Sequence, residues 1–506
     1  MTTLPELLLA AAAEDPARPF LLFEGRTLSR GEMADAALRC AGWWTRAGVG
    51  RGDRIALLLE NRPELLVAWF GASLAGAVVA PLDPELRGEE LATRLCEIRP
   101  SAVVADAAAL PALLAAQGLV PSLRHLVIAG DAPAGTTPWR DLCAGPAADP
   151  APLDPGAPSE IVYTAGVAGG ARAVTWRHGG RAATGGALAQ LLGLSHRDRL
   201  MVVLPLFAAN AQVSVAMAVS AGASLLLERR FSARRFWSAA RKGTATQVSL
   251  PGQLLRELCA QRPRRDDARH AVRLVLGLGT PEDVHQAFEN RFGTCLVEGF
   301  GLTEATGYVT INPVERGRRK LGTVGLPVPW AEVAVLDERL RRLPPSVAGE
   351  ICVRSRPGAT APWIGGHLDG ADPASSRDGW LRSGDLGVFD EEGFLTLVDG
   401  LEDGASAARE ARSTRRAEAA LRRHPAVADA ALVPPPGGGA PVAVVVLRAP
   451  VHLDALARFC REWVDDGAAP SRFKVVERIP KTASGRVRRA ELRSRPGLFE
   501  QVYCVE

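Results

Sequence analysis

The 506-residue sequence lacks any apolar run of the roughly 18 residues that a membrane-spanning helix needs. The short apolar run near its N-terminus, residues 7–13, follows no basic segment and is flanked by Glu6 and Glu14. This pattern is typical of an amphipathic first helix and not of a secretory signal peptide. We therefore expect a cytoplasmic protein with no membrane partner.

Excess charge of one sign and clustered cysteine are also missing. The 60 Lys and Arg residues nearly balance the 56 Asp and Glu residues, so the net charge of +4 indicates no nucleic-acid partner. The eight cysteines are scattered without a Cys-x-x-Cys pair. A metal cluster and a disulfide framework are therefore not expected, and free thiols in a reducing compartment are.

Helical and strand patterns alternate along the first half of the chain. Buried strands are expected at 54–59, 77–80, 101–105, 126–129, 199–203 and 224–227, and helices at 30–47 and 64–75. Such alternation is typical of α/β proteins with doubly wound, mainly parallel sheets. At about 100–200 residues per domain, the chain is long enough for at least two domains.

The pattern changes towards the C-terminus. Short strands and turns over residues 321–399 predict a small β-barrel-like subdomain attached to the large α/β domain. In the last hundred residues, strands at 426–433 and 442–447 and a helix at 453–464 predict a separate small α+β domain.

A glycine-rich stretch lies between two apolar segments at residues 161–178. Gly166, Gly169 and Gly170 can turn backbone N–H groups towards an anion, because glycine adopts positive φ without steric cost. Arg172 supplies a cation at the end of the loop. The stretch alone is equally compatible with a phosphate site and with a tight surface turn.

Four further segments carry residues suited to nucleotide chemistry. Thr and Glu in EGFGLTEATG (298–307) can contact a phosphate and Mg²⁺, since hard cations prefer carboxylate oxygen. GLGTP (277–281) allows close approach of a flat base, and SGD (383–385) offers a carboxylate for ribose hydroxyls. PKTASGR (480–486) places two cations on one loop. Each segment by itself is more often structural than functional.

The order of these segments resembles that of the acyl-CoA synthetase and adenylation-domain superfamily of adenylate-forming enzymes, over nearly the whole chain. The resemblance implies a large N-terminal domain (1–399), a hinge (400–403) and a small, mobile C-terminal domain (404–506). It also implies ATP and Mg²⁺, and a reaction that joins an acid to AMP before a nucleophile attacks.

The resemblance further assigns roles to individual residues. The implied catalytic residues are Thr303, Glu304, which would also bind the metal, and Arg486. The implied nucleotide-binding residues are Thr164, Gly166, Gly169, Arg172, Gly277, Leu278, Gly279, Phe300, Thr303 and Asp385. The implied acid pocket comprises Phe207, Ala208, Asn210, Gln212, Gly299, Gly301 and Gly307.

The phosphate loop departs from the family pattern. Ala165, Val167 and Ala168 stand where the family has hydroxyl residues, and Arg172 replaces its lysine. Losing two or three hydroxyl donors and one arginine contact corresponds to roughly 3–6 kcal/mol of ATP binding if nothing compensates. In the pocket, Ala208 replaces a larger residue and opens space.

Further departures affect the second half of the reaction. Gly400 replaces an arginine before the hinge, and Ala408 and Arg409 replace a glycine pair of the CoA channel. Arg486 replaces a lysine, exchanging a compact point charge for a planar fork. We therefore expect an acid ligase for a small aryl or short-chain acid in specialised metabolism, with an amine or thiol nucleophile other than CoA.

Two alternatives remain open at the level of sequence. The first is a diazotase-like reaction, in which nitrite is activated with AMP and attacked by an arylamine. The second is a non-catalytic homologue that binds a nucleotide, an acyl ligand or a partner protein. A homodimer is also left open.

Overall fold

A computed structural model describes residues 2–149, 152–164, 171–356, 364–368, 379–398, 417–418, 420–435, 440–462, 464, 469–480, 487 and 489–505. Two large sheets with helices between and outside them form the N-terminal part of the molecule. The α/β fold with a large domain and a small C-terminal domain, predicted from the sequence, is confirmed.

An eight-stranded sheet contains the strand that precedes the glycine-rich loop. Its strands are β3 (Arg54–Leu58), β4 (Val78–Pro81), β5 (Ala102–Asp106), β6 (His125–Ala129), β7 (Thr137–Pro138), β8 (Pro158–Tyr163), β9 (Ala173–Arg177) and β19 (Gly366–His367). They lie in the order β19-β9-β8-β4-β3-β5-β6-β7, parallel from β8 to β7 and antiparallel at β9 and β19.

A nine-stranded sheet carries the other nucleotide segments. Its strands are β1 (Pro19–Phe23), β2 (Arg26–Ser29), β10 (Arg199–Val202), β11 (Ser224–Leu227), β12 (Gln247–Pro251), β13 (Leu274–Leu278), β14 (Cys295–Leu302), β15 (Gly307–Ile311) and β16 (Leu326–Pro327). They lie in the order β16-β15-β14-β13-β12-β10-β11-β1-β2. Central strands such as β10 and β13 are continuous apolar runs because both faces of a central parallel sheet are covered.

The helices cover both faces of these sheets. They are α1 (Leu4–Glu14), α2 (Arg30–Arg46), α3 (Pro63–Leu74), α4 (Gly88–Ile98), α5 (Leu110–Gln117), α6 (Trp139–Ala144), α7 (His178–Leu191), α8 (Ala209–Ser220), α9 (Phe236–Lys242), α10 (Gly252–Cys259) and α11 (Glu282–Phe292), with 3₁₀ turns at Ala107–Ala109 and Arg316–Arg318. Helix α2 begins after Ser29, whose hydroxyl accepts from the N–H of Glu32 while the Glu32 carboxylate accepts from the N–H of Ser29. None of the helices within the described ranges combines the length and apolar character needed to cross a membrane.

The main hydrophobic core lies between the two large sheets. Helices α3 and α7 contact the eight-stranded sheet, and α8 contacts the nine-stranded sheet. The α7–α8 pair joins the two halves, since Gly185 of α7 is so close to Ala216 of α8 that an added Cβ would lie 2.8 Å from it. This packing places the first turn of α8 beside the β14–β15 hairpin.

The β-rich segment after residue 321 is divided among three sheets. Four strands form an antiparallel sheet in the order given, namely β17 (Ala331–Leu336), β18 (Gly349–Ser355), β20 (Leu381–Phe389) and β21 (Leu395–Val398). Within the described residues this sheet is open, with β17 and β21 at its edges. The short strand β16 pairs with the nine-stranded sheet, and the short strand β19 pairs with the eight-stranded sheet. Each adds to an available edge of its sheet.

The small C-terminal part forms its own α+β unit, as predicted. Its elements are β22 (Val427–Val433), β23 (Val442–Leu447), α12 (Leu453–Arg461), β24 (Arg472–Val475), α13 (Arg489–Arg493) and β25 (Tyr503–Cys504). Ala417, Ala420 and Leu421 are buried against this sheet, in keeping with their helical spacing in the sequence.

Candidate functional site

The glycine-rich loop connects two paired antiparallel strands. Its neck is closed twice, because the N–H of Thr164 donates to the carbonyl of Arg172 (2.9 Å) and the N–H of Arg172 donates to the hydroxyl of Thr164 (3.0 Å). The Arg172 side chain is exposed. Gly166 and Gly169 lie outside the described residues. The two hydrogen bonds therefore hold Thr164 and Arg172, the described residues on either side of the glycine-rich stretch, close together.

Thr303 and Glu304 lie on the turn between β14 and β15. The backbone reverses over Thr303–Thr306, with Thr306 at φ +53°, and the strands pair again at Leu302 and Gly307. The indole N–H of Trp176 donates to the carbonyl of Thr303 at 2.6 Å. The N–H of Gly365 donates to the carbonyl of Glu304 at 2.7 Å. Two parts of the eight-stranded sheet therefore hold this turn of the nine-stranded sheet.

The Glu304 carboxylate fits the metal site that the sequence implies. Its side chain is partly exposed, and the buried imidazole of His367 lies beside it, with 3.7 Å between Nε2 and Oε1. Carboxylate oxygen is a ligand that Mg²⁺ accepts, with nucleotide phosphates supplying the others. Within the described ranges, no group of three or more His, Cys, Asp or Glu side chains forms a complete protein-only metal site.

The backbone at the end of β13 has glycine at positions 277 and 279. An added Cβ at Gly277 would lie 2.4 Å from Oε2 of Glu298, so the Glu298 side chain would have to move to accommodate it. Gly279 has φ +67°, with open space where a Cβ would be. The N–H of Thr280 donates to Oε1 of Glu298 at 2.9 Å, which holds the turn after Leu278. This geometry suits close approach of a planar base.

Phe300 is buried in the core, and Asp385 lies on a strand of another sheet. The ring of Phe300 is 1% exposed and packs in the core between the sheets, so in this conformation it presents no open face to a base. Asp385 lies on β20 in the separate four-stranded sheet, where its N–H donates to the hydroxyl of Ser383. Arg486 lies outside the described residues.

The first turn of α8 and β15 line the predicted acid pocket. The side-chain amide of Asn210 donates to the hydroxyl of Tyr308 at 3.1 Å. The amide of Gln212 donates to the carbonyl of Phe207 at 3.4 Å, which leaves its Oε1 buried without a partner in the described structure. Burial raises the pKa of Tyr308, so its hydroxyl stays protonated. Ala208 is the N-cap of α8 and supplies no capping oxygen.

The three pocket glycines have structural reasons for being glycine. An added Cβ at Gly301 would lie 2.4 Å from the carbonyl oxygen of Gly307, and one at Gly299 would lie 2.7 Å from the Tyr308 ring. Gly307 itself has φ +136°, and its Cβ would meet Val213 at 3.3 Å. These glycines allow β14, β15 and α8 to pack closely where the acid pocket is predicted.

A buried ionic cluster supports the Thr303 turn from behind. The Arg181 guanidinium, 1% exposed, lies 3.5 Å from the Glu160 carboxylate and 4.6 Å from the centre of the Trp176 ring. Trp69 donates to the same carboxylate at 2.9 Å. Burial lowers the pKa of Arg181, and the Glu160 charge opposes that effect.

Sequence reasoning missed the side chains that position the Thr303 turn. Trp176 and His367 belong to no nucleotide motif, and Tyr308 follows a motif without being part of it. Only the apolar character of 173–176 was visible, which indicated a strand and not a hydrogen-bond donor. Their contacts depend on the pairing of distant segments, which local patterns do not encode.

Comparison with known families and proteins covers both parts of the chain. Residues 8–361 match the family described as AMP-binding enzyme, and residues 416–486 match the AMP-binding enzyme C-terminal domain. A crotonobetaine/carnitine–CoA ligase of Salmonella arizonae is 31% identical over 479 residues, covering 90% of this chain and 91% of the relative. One of Shigella sonnei is 30% identical over 469 residues, covering 88% and 89%.

Solved structures of similar fold include ligand complexes. An anthranilate CoA ligase bound to anthranoyl-AMP superposes with a TM-score of 0.86 at 21% identity, covering 97% of each chain. An o-succinylbenzoate CoA synthetase of Bacillus subtilis, solved with ATP and a magnesium ion, gives a TM-score of 0.78 at 25% identity, covering 96% of this chain and 99% of that one.

Proposed function

The chain belongs to the family of AMP-binding enzymes and is an adenylate-forming acid ligase that uses ATP with Mg²⁺; from this premise we propose that it activates a small carboxylic acid and transfers it to CoA. The first step joins a carboxylate oxygen of the acid to the α-phosphorus of ATP and breaks the bond to pyrophosphate. The second step replaces AMP with the sulfur of CoA.

In the first step the side chains must bind and help neutralise the negative charge of the ATP phosphates. Mg²⁺, when bound, neutralises phosphate charge and draws the nucleotide to the Glu304 carboxylate. We expect the hydroxyls of Thr303 and Thr164 to donate to phosphate oxygens and the exposed Arg172 side chain to add a positive charge. The roles of Gly166, Gly169, Asp385 and Arg486 stay proposals, as does that of Phe300, whose ring must be uncovered before it can contact adenine.

A small acid is proposed because a buried hydrogen bond joins two elements of the predicted acid pocket. The contact between Asn210 and Tyr308 bridges α8 and β15, and the Tyr308 ring lies directly against Gly299. A long acyl chain would have to break this buried hydrogen bond, which costs about 1–3 kcal/mol when a partner is left unsatisfied. A short-chain or aryl acid requires no such break.

CoA is proposed as the acceptor because the relatives that cover nine-tenths of the chain are named as CoA ligases. The sequence expectation of a different acceptor rested on Ala408, Arg409 and Arg486, which lie outside the described residues, and it has no support among the relatives. Neither nitrite activation nor a non-catalytic role has support there either.

The domain limits predicted from the sequence are kept as proposals. Residues 1–399 would form the adenylating domain, 400–403 the hinge and 404–506 the mobile domain. The family matches at 8–361 and 416–486 lie on either side of the proposed hinge.

The test is pyrophosphate release by the full-length protein with ATP and Mg²⁺. A panel of short-chain and aryl acids is assayed with and without CoA, with nitrite plus an arylamine as a further arm, and the products are identified by mass. We expect pyrophosphate and an acyl-CoA with at least one small acid. Glu304→Gln should reduce the rate about 100-fold or more, on the scale of removing a preorganised charge contact.

Glu315→Gln is the matched control, because Glu315 is exposed and lies in the segment after β15. Its rate should equal that of the wild type. Absence of pyrophosphate across the panel, together with absence of ATP binding by calorimetry, would contradict the ligase function. Acyl-adenylate formation without acyl-CoA would contradict CoA as the acceptor alone.

A further inference from the structure

The imidazole of His367 has an unusual environment for a histidine. Its side chain is 5% exposed, and its Nε2 atom is buried with no hydrogen-bond partner among the described residues. The nearest ionic group is Oε1 of Glu304, at 3.7 Å from Nε2. A buried nitrogen without a hydrogen-bond partner is unfavourable. The position of this nitrogen therefore indicates a ligand bound by both the His367 imidazole and the Glu304 carboxylate.

The backbone holds His367 firmly at this place. Strand β19 pairs with β9, with His367 opposite Val174 and Gly366 opposite Thr175. On one side the N–H of Gly365 donates to the carbonyl of Glu304, and on the other the N–H of Leu368 donates to the carbonyl of Ala173. His367 is therefore fixed between the Glu304 turn and the strand that leaves the phosphate loop.

The spacing of the two atoms is slightly longer than that of adjacent metal ligands. At 3.7 Å, Nε2 and Oε1 are too far apart for a hydrogen bond. Two adjacent ligand atoms bound at about 2.1 Å to one octahedral cation lie about 3.0 Å apart. A side-chain movement of about 0.7 Å therefore brings both atoms onto one ion.

We propose that His367 Nε2 is a second protein ligand of the cation that Glu304 binds. The inference rests on the proposed function, because phosphate oxygens of the nucleotide complete the coordination. Imidazole favours first-row transition ions over Mg²⁺, so the site selects Mn²⁺ over Mg²⁺. Two protein ligands hold an ion weakly by themselves, and strong Mn²⁺ binding therefore requires the nucleotide.

The test is electron paramagnetic resonance of Mn²⁺ bound to the full-length protein with α,β-methylene-ATP, which cannot be cleaved at the reacting bond. Electron spin echo modulation detects nitrogen bonded to Mn²⁺. We expect such a nitrogen coupling in the wild type, and its replacement by the ¹⁵N pattern when only the histidines are labelled. Labelling separates imidazole from the nitrogens of adenine.

Variants give a second, independent readout. His367→Phe should abolish the histidine coupling and weaken nucleotide-dependent Mn²⁺ binding at least about tenfold, since even outer-sphere partners are worth about 10–100-fold. Mg²⁺ binding should change less. His367→Gln retains a polar side chain should the larger ring disturb folding. His452→Phe is the matched control, because that exposed imidazole lies in the C-terminal unit.

The failures of the two proposals are distinguishable. Mn²⁺ bound with the nucleotide but without histidine coupling overturns the ligand role of His367 and leaves the proposed function intact. Absence of nucleotide-dependent Mn²⁺ binding overturns the ligand role as well. If pyrophosphate release with Mg²⁺ is then also absent, the proposed function fails too.

Discussion

At the scale of single residues, a buried tryptophan holds the turn that carries Glu304, the carboxylate proposed to bind the cation. Trp176 is fully buried, donates to the Thr303 carbonyl and packs over the Arg181 guanidinium. The Trp176 ring thus links the Glu160–Arg181 ion pair to the Thr303 turn. Charge inside the core is expensive unless paired, so the cluster also resists rearrangement.

Replacing Trp176 with Phe should slow adenylation without abolishing it. The Thr303 carbonyl loses its donor, which costs about 1–3 kcal/mol for a buried acceptor. We expect pyrophosphate release to slow about tenfold, as a loss of that order permits. Trp330→Phe is the control, since the Trp330 indole N–H has no partner in the described structure. Equal rates for the two variants would contradict the positioning role.

The sequence indicates candidate substrate-binding residues more readily than the residues that position them. Thr303 and Glu304 stand in a motif whose residue types suit phosphate and Mg²⁺, and their roles stay predictions. His367 is one of eight scattered histidines, and nothing near it in sequence indicates Glu304 as a neighbour. Phe300 was placed at the adenine by resemblance, yet core packing buries its ring.

At the scale of elements, the β14–β15 hairpin depends on the absence of side chains. Gly301 and Gly307 lie so close across the hairpin that one extra carbon would overlap a carbonyl oxygen. The shape of the predicted acid pocket and the position of the Thr303 turn therefore depend on the same spacing between β14 and β15. Changing the strand spacing moves the Thr303 turn as well.

Gly301→Ala should destabilise the protein and reduce adenylation together. Its Cβ would lie 2.4 Å from the Gly307 carbonyl oxygen, and relief by backbone movement costs about 1–3 kcal/mol. Thermal unfolding and pyrophosphate release measure the two effects. Gly118→Ala, at a position with open space, is the control and should match the wild type. An unchanged melting temperature for Gly301→Ala would contradict the close contact.

Elements with a periodic or continuous apolar pattern were predictable, and strands of only two residues were not. The helix expected at 30–47 is Arg30–Arg46, and the strand expected at 54–59 is Arg54–Leu58. Both carry strong periodic or continuous apolar patterns. The two-residue strands β16 and β19 carry no periodicity, so their transfer from the expected barrel to the large sheets could not be foreseen.

At the scale of the whole molecule, buried ionisable groups make stability depend on pH. Burial lowers the pKa of His285 to about 4 from its ordinary 6.5, against the opposing charge of Glu289 3.9 Å away. Burial also disfavours ionised Glu289, but hydrogen bonds from Leu296 N–H and Arg319 outweigh it and lower its pKa. Both groups bind protons less readily in the folded state than in the unfolded state.

The free energy of unfolding should therefore decrease as the pH falls from about 6.5 towards 4. In that window the unfolded chain takes up a proton at His285 and the folded chain does not. Denaturant titrations at several pH values measure the slope. His285→Phe should flatten it, whereas the control His196→Gln should not. A slope unaffected by His285→Phe would contradict this assignment.

Strand β19 also has a consequence for the order in which the chain is made. Gly366 and His367 cover the free edge of β9, yet about 190 residues separate them from Thr175. A ribosome adding about 5–20 residues per second needs about 10–40 s to bridge that interval. During that time the β9 edge of the newly made β8–β9 hairpin is unpaired. An unpaired strand edge is the kind of surface on which chains aggregate. Chaperone demand during translation should therefore peak before residue 367 emerges.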